Sequence, residues 1–213
     1  MSSHHFVREG QEPALLIMDP ESLPLDQIQG FLEWSPTVLV AEEALEKVLE
    51  WGIKIDVVIC QEPTLRDWHK HLVEQAPIKF LSFPEGEDPL LNAIYFLISK
   101  KETAVNVLSD PLTKGQSSRM EFCLNAMNQL RIVFYDRNRK YQLIKERFEK
   151  WIPKNEEIQL IPLASSCSLT IQGLESNFEN FILEKKQNLT TKKEGKVIIE
   201  GNGVPFLVSE SIF

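Results

Sequence analysis

The sequence predicts an α/β fold: an open parallel sheet with helices on both faces, followed by a small C-terminal β domain. Three observations carry that expectation. Short apolar runs such as Ala14-Leu-Leu-Ile-Met18 and Thr37-Val-Leu-Val-Ala41 alternate with amphipathic stretches over the first two thirds of the chain. Strands that are apolar at consecutive positions are buried on both faces, as in a parallel sheet. The connections are short, the pattern of right-handed βαβ winding. Beyond about Asp136 the alternation stops, and short β-prone pieces are separated by Gly, Asn and Lys clusters.

The elements follow in order. Ala14–Met18 ends at Asp19-Pro20. Thr37–Ala41 runs into Glu42, after which Leu45, Val48 and Leu49 recur at helical spacing, and Gly52 closes that helix at the position that tolerates positive φ. Asp56–Cys60 is the next strand, with a helix from about Leu65 to Gln75. Ile78–Ser82 precedes a helix from Pro89 to about Lys100. Ala104–Leu108, the loop Ser109–Ser117 and a helix from about Arg119 to Leu130 lead to the strand Arg131–Tyr135, for about six strands. Asp136–Lys140 is a charged turn, and Tyr141–Trp151 reads as helix by its charges or strand by its aromatics. Ile158–Pro162, Ser168–Ile171, Lys196–Glu200 and Pro205–Val208 are β-prone, Asn188–Glu194 is a polar loop, and Gly201-Asn-Gly203 reads as a hairpin turn. The expected domains are 1–138 and 139–213.

Composition narrows the function. Lys plus Arg is 23 against 31 Asp plus Glu, a formal charge of −8, which is no electrostatic footprint for nucleic acid. The longest apolar run, Ala93–Ile98, is far below the roughly 20 residues of a membrane helix. Met1–Gly10 has no apolar core of a secretory signal. Cys60, Cys123 and Cys167 lie too far apart for a disulfide framework or zinc site, and a cytoplasmic location is expected.

Ligands of open parallel sheets bind outside the carboxyl ends of the strands. There the chain places Glu42 and Glu43, then Gln61-Glu-Pro-Thr64, then Pro84-Glu-Gly-Glu-Asp-Pro89, then Ser109 and Asp110, with Arg119 beyond the loop. Such an acidic rim with one arginine suits a hard cation and, through it, nucleotide phosphates. Each group also has a plainer reading. Asp88 before Pro89 is a helix N-cap, Thr64 with Asp67 and Ser118 with Glu121 resemble capping boxes, and Glu42 and Glu43 suit a helix N-terminus. No glycine-rich phosphate loop occurs, and His69 and His71 do not share a helix face. Asn188-Leu-Thr190 matches a glycosylation sequon without the secretory signal that would give it meaning.

The order of segments resembles thiamin pyrophosphokinase over most of the chain. Val38-Leu-Val-Ala-Glu-Glu-Ala44 stands where that family has a strand ending in Asp-Gly-Gly. Gly52-Ile-Lys-Ile-Asp-Val-Val-Ile-Cys-Gln-Glu-Pro-Thr64 keeps the spacing of its Gly-Ile-x-Pro-Asp run into Gly-Asp-x-Asp-Ser. Glu85–Ala93 resembles its Lys-Asp-x-Thr-Asp helix start, and Ser118-Arg-Met-Glu-Phe122 its Gly-Arg-Leu-Asp-His helix. Ile158–Leu163 and Leu169–Leu174 are similar to its Ser-Leu-Ile-Pro strand and following Gly-Leu.

The resemblance implies an α/β domain with a C-terminal β-sandwich, a homodimer, and transfer of pyrophosphate from Mg-ATP to thiamin, giving thiamin diphosphate and AMP. In that frame Asp88, and Glu62 lying between the two aspartate positions, are the expected catalytic and magnesium-holding acids. Glu42, Glu43, Ser109, Asp110, Arg119 and Glu121 would lie around the nucleotide. The chain departs from the pattern where the chemistry is densest. The two magnesium aspartates fall on Gln61 and Pro63, the glycine pair becomes Glu43 and Ala44, and the histidine becomes Phe122. Losing one preorganised electrostatic group commonly costs roughly 10²–10³ in rate. The alternative expectation is therefore a catalytically inactive relative that keeps the fold for ligand binding or regulation.

Overall fold

A computed structural model of the protein describes residues 12–112, 116–174 and 177–212. Met1–Gly10, read above for a signal, and residues 113–115 of the loop Ser109–Ser117 lie outside them. The chain divides into two compact units, one of Met1–Asp110 and Asn125–Asp136, the other of Pro111–Leu124 and Arg137–Phe213.

The first unit runs β1 (Ala14–Ile17), α1 (Leu25–Leu32), β2 (Val38–Ala41), α2 (Glu42–Glu50), β3 (Val57–Gln61), α3 (Leu65–His71), a short 3-10 turn (Val73–Gln75), β4 (Lys79–Phe83), α4 (Pro89–Ser99) and β5 (Ala104–Leu108). After α5 (Gln116–Ala126), whose residues up to Leu124 go with the second unit, it closes with β6 (Arg131–Asp136). The six strands are parallel, in the order β6-β5-β1-β2-β3-β4. Every residue of β1 and β2 is buried, and β3 is buried up to Gln61, as continuous apolar runs require. β4 is the edge strand and exposes Lys79 and Ser82, a usual protection of sheet edges. From β1 to β4 the winding advances one way along the sheet. The β4–β5 crossover then returns past three strands, so right-handed connections put α4 on the face opposite α1–α3.

The second unit is a sandwich. β7 (Arg139–Ile144), β14 (Phe206–Ser211), β9 (Glu157–Pro162) and β12 (Gln187–Thr190) pair antiparallel in that order. β8 (Arg147–Ile152), β13 (Gly195–Gly201), β10 (Cys167–Gln172) and β11 (Phe178–Leu183) form the other antiparallel sheet. Phe148, Ile158, Leu160, Leu169, Val197 and Phe206 are among the side chains filling the space between the sheets.

The structure resolves one open local reading and corrects others. Tyr141–Trp151 holds two strands and no helix, because alternate residues Tyr141 and Leu143, then Phe148, are the buried ones. Part of the expected polar loop Asn188–Glu194 belongs to edge strand β12, which pairs with β9 alone and needs no apolar run. Gly201-Asn-Gly203 is no hairpin, since β13 and β14 belong to different sheets of the sandwich and the turn carries the chain between them. The sequence reading passed over α1, although Leu25, Ile28 and Leu32 follow helical spacing, and over β11. Gly52 does take positive φ (67°) behind α2.

Candidate functional site

The carboxyl ends of β2 and β3 lie side by side, with Ala41 opposite Ile59. Glu42, the first residue of α2, is therefore carried beside the end of β3. Its Oε1 accepts from the Gln61 backbone N–H at 3.2 Å, and its Oε2 accepts from the Thr64 hydroxyl and from the Trp68 indole N–H at 3.2 Å. Thr64 and Trp68 are four residues apart at the start of α3, so both face the same way. Thr64 is further held by Gln61, whose carbonyl accepts from its hydroxyl at 3.0 Å. A half-buried carboxylate meeting three donors is a tie between helix starts. Sequence reasoning found Glu42 but missed Trp68, whose indole needs an acceptor when it packs.

Glu43 points to solvent, as do Glu62 and Pro63. The Glu62 backbone N–H donates to the Phe83 carbonyl at 2.9 Å, fastening the end of β3 to that of β4. Asp88 is the N-cap of α4: its Oδ1 accepts from Leu90 N–H at 3.0 Å, with Pro89 in the first helical turn. Asn92 of the same helix donates to the Asp88 carbonyl and to Glu87, each at 3.3 Å. Ser109 is buried at the end of β5, its N–H donating to the Tyr135 carbonyl at 3.2 Å, and Asp110 follows it half-buried in the first unit. Arg119 and Glu121 lie on α5 within the second unit. Two apart on a helix, they do not share a face.

The strand order reverses between β1 and β5. At that point the N–H groups of Met18 and Asp19 both donate to the Leu108 carbonyl, at 3.2 and 3.0 Å. Asp19, which the sequence reading did not single out, accepts from Glu21 N–H at 2.9 Å. It too is committed to a turn.

Cys60 is fully buried beside this rim. Burial, and then the negative charge of Glu42, push its thiol from 9.0 up to about 11, so it stays protonated and unreactive at neutral pH.

Magnesium, which the resemblance implies, does not suit these residues. Gln61 and Pro63 supply no carboxylate where two are needed, both oxygens of Glu42 are engaged by donors, and Asp88 is taken up as a cap. Among the described residues no three His, Cys, Asp or Glu side chains gather where they could hold a metal ion. A concavity of about 1180 Å³ lies instead at the amino ends of the strands, lined among others by Trp34, Trp51, Lys54, Lys79 and Glu102. That is the end of the sheet where ligands of this architecture do not usually bind.

The two units define an α/β domain joined in sequence to an antiparallel β-sandwich. Solved thiamin pyrophosphokinases have this fold. The Geobacillus thermodenitrificans enzyme superposes with a TM-score of 0.72 at 10% identity, over 93% of this chain and 97% of that one. The Bacillus subtilis enzyme gives 0.71 at 11%, over 95% and 100%. A probable thiamine pyrophosphokinase from Staphylococcus saprophyticus gives 0.64 at 15%, over 93% and 98%. No family model and no curated protein matches the chain. At such identities the likeness is one of fold. Among the described residues, no helix is long and apolar enough to cross a membrane.

Proposed function

We propose that this chain is a non-catalytic protein that keeps the thiamin pyrophosphokinase fold for ligand binding or regulation. The observation that carries this reading is Glu42. It stands at the position of the family's first rim aspartate, yet its carboxylate is taken by Gln61 N–H, Thr64 and Trp68. Releasing it to a cation would take this acceptor from the Gln61 N–H and the Trp68 indole N–H, while Thr64 keeps the Gln61 carbonyl, and each lost hydrogen bond costs about 0.5–1.5 kcal/mol. Gln61 and Pro63 support the same reading, because neither can replace an anionic ligand. Transfer of pyrophosphate from Mg-ATP to thiamin requires charge neutralisation at the phosphates, and no acidic cluster for it is gathered among the described residues.

The homodimer and the ligands ATP and thiamin, implied by the resemblance, belong to the binding function. Trp151 on β8 and Ile182 on β11, 66% and 56% exposed, are apolar surface for self-association. Calorimetric titration of the full chain with ATP, with and without Mg²⁺, tests the reading. The expected result is an isotherm that Mg²⁺ leaves unchanged. Tight, Mg²⁺-dependent ATP binding accompanied by turnover would overturn it.

A further inference from the structure

The turn Gly201-Asn-Gly203 carries the chain from β13 to β14 and holds the one Asn-Gly pair of the sequence. Asn202 and Gly203 are both exposed. The Asn202 side chain and the Gly203 N–H make no hydrogen bond with any described residue. Gly203 has φ 77°, and the space where a Cβ would stand is open. An asparagine amide is a thermolabile group, and the nucleophile that displaces it is the next backbone nitrogen. Glycine, with no Cβ, hinders that nitrogen least and leaves its backbone freest to turn.

Asn155, Asn180 and Asn188, also exposed, lack this combination. Asn155 precedes Glu156, whose N–H donates to the Thr191 hydroxyl at 3.0 Å. Asn180 precedes Phe181, which pairs with Leu169 of β10. Asn188 donates its side-chain amide to Glu157 at 3.3 Å and precedes Leu189.

We infer that Asn202 is a site of spontaneous deamidation that ages the sandwich. The Gly203 nitrogen, its proton lost to solvent hydroxide, bonds to the side-chain carbonyl carbon of Asn202. The bond from that carbon to the amide nitrogen breaks, and ammonia leaves with a proton from water, closing a succinimide. Water then opens the ring at one of its two carbonyls. Opening at the side-chain carbon leaves Asp on an ordinary backbone. Opening at the main-chain carbon leaves isoaspartate, whose backbone runs through the side chain and is one atom longer.

The flanks have little slack for that atom. The Gly201 N–H donates to the Glu146 carbonyl at 2.7 Å, and the Asn202 N–H to the Ser168 carbonyl at 3.3 Å. A Cβ on Gly201 would meet the Phe206 ring and the Val204 carbonyl oxygen, each at 3.0 Å, so the turn folds closely back on itself. Phe206 is in turn fully buried between the sheets. The isoaspartyl form therefore loosens the β13–β14 joint, whereas Asp only adds a charge at an exposed position. None of this involves the β2–β3 rim, and it stands independently of the function proposed above.

The test incubates the folded full chain at neutral and mildly alkaline pH, with fresh protein digested in parallel as background. Peptide mass spectrometry follows conversion at each asparagine, and chromatography separates Asp from isoaspartate. The expected result is an amide-to-acid mass shift at Asn202 before Asn155, Asn180 or Asn188, faster at the higher pH and yielding both products. Asn202→Asp carries the charge on an ordinary backbone and should unfold in urea at the parent's midpoint, while aged protein bearing isoaspartate unfolds at a lower one. Conversion at Asn202 no earlier than at the other three, or an isoaspartate-bearing sample that keeps the parent's midpoint, would overturn the inference.

Discussion

The indole N–H of Trp68 donates to Glu42 Oε2 across 3.2 Å, fastening the first residue of α2 to the first turn of α3. Thr64, one helical turn before Trp68, donates to the same oxygen. A carboxylate at the carboxyl end of a parallel strand, the place for ligand chemistry in this architecture, is here part of the scaffold.

Glu42→Ala should therefore destabilise the protein by about 1–3 kcal/mol, since Gln61 N–H and the Trp68 indole lose their acceptor together while Thr64 falls back on the Gln61 carbonyl. Trp68→Phe, which keeps a ring and removes the donor, should cost about 1 kcal/mol, and the double variant less than the sum. Urea denaturation measures all three. An exposed, ligand-seeking carboxylate would behave oppositely, with Glu42→Ala neutral or stabilising.

Asp88 offers a parallel check. As the N-cap of α4, its replacement by Ala should cost about 0.5–2 kcal/mol, while Asp88→Asn or Asp88→Ser should recover most of the loss. Equal stability of the Ala and Ser variants in thermal melts would refute the capping role.

Cys60 gives a pH dependence. Its folded thiol titrates near 11 rather than 9.0, because of burial and then the charge of Glu42. The folded state thus binds the proton more tightly than the unfolded chain does. The resulting stabilisation is complete below about pH 9 and is lost as pH rises toward 11, amounting to roughly 2–3 kcal/mol. Denaturation curves should show this loss in the parent protein and a shallower slope in Cys60→Ala. Identical slopes would exclude Cys60 as the source.

Gly173, at the end of β10, has φ 86°, and a Cβ there would stand 1.9 Å from the Lys196 carbonyl oxygen. Gly173→Ala must move β13 backbone as well as strain its own, at a cost of about 3 kcal/mol or more. Gly203→Ala has the same hand of φ (77°) with open space around it, so it should cost about 1–2 kcal/mol. Comparable midpoints for the two variants in guanidinium would contradict the close approach.

Much of the first unit was legible because its strands are buried on both faces. Ala14–Ile17 and Val38–Ala41 have no polar alternation to confuse the reading, and Asp88-Pro89 and Gly52 mark helix ends by side-chain and φ chemistry alone. The sandwich was harder to read. β12 is a half-exposed edge strand of sequence Gln187-Asn-Leu-Thr190, indistinguishable from a loop until β9 pairs with it. Gly201-Asn-Gly203 has hairpin chemistry, and only the sheet assignments of β13 and β14 show that it joins two layers. At the rim, the carboxylates were found by position along the chain. Whether Glu42 is a ligand or a tether depends on Trp68, 26 residues away, a relationship that no local pattern encodes.

AMP formation by the purified protein with ATP, Mg²⁺ and thiamin decides whether this fold is kept without pyrophosphate transfer. No AMP above a protein-free control is the expected result. AMP appearing in step with thiamin diphosphate would contradict it.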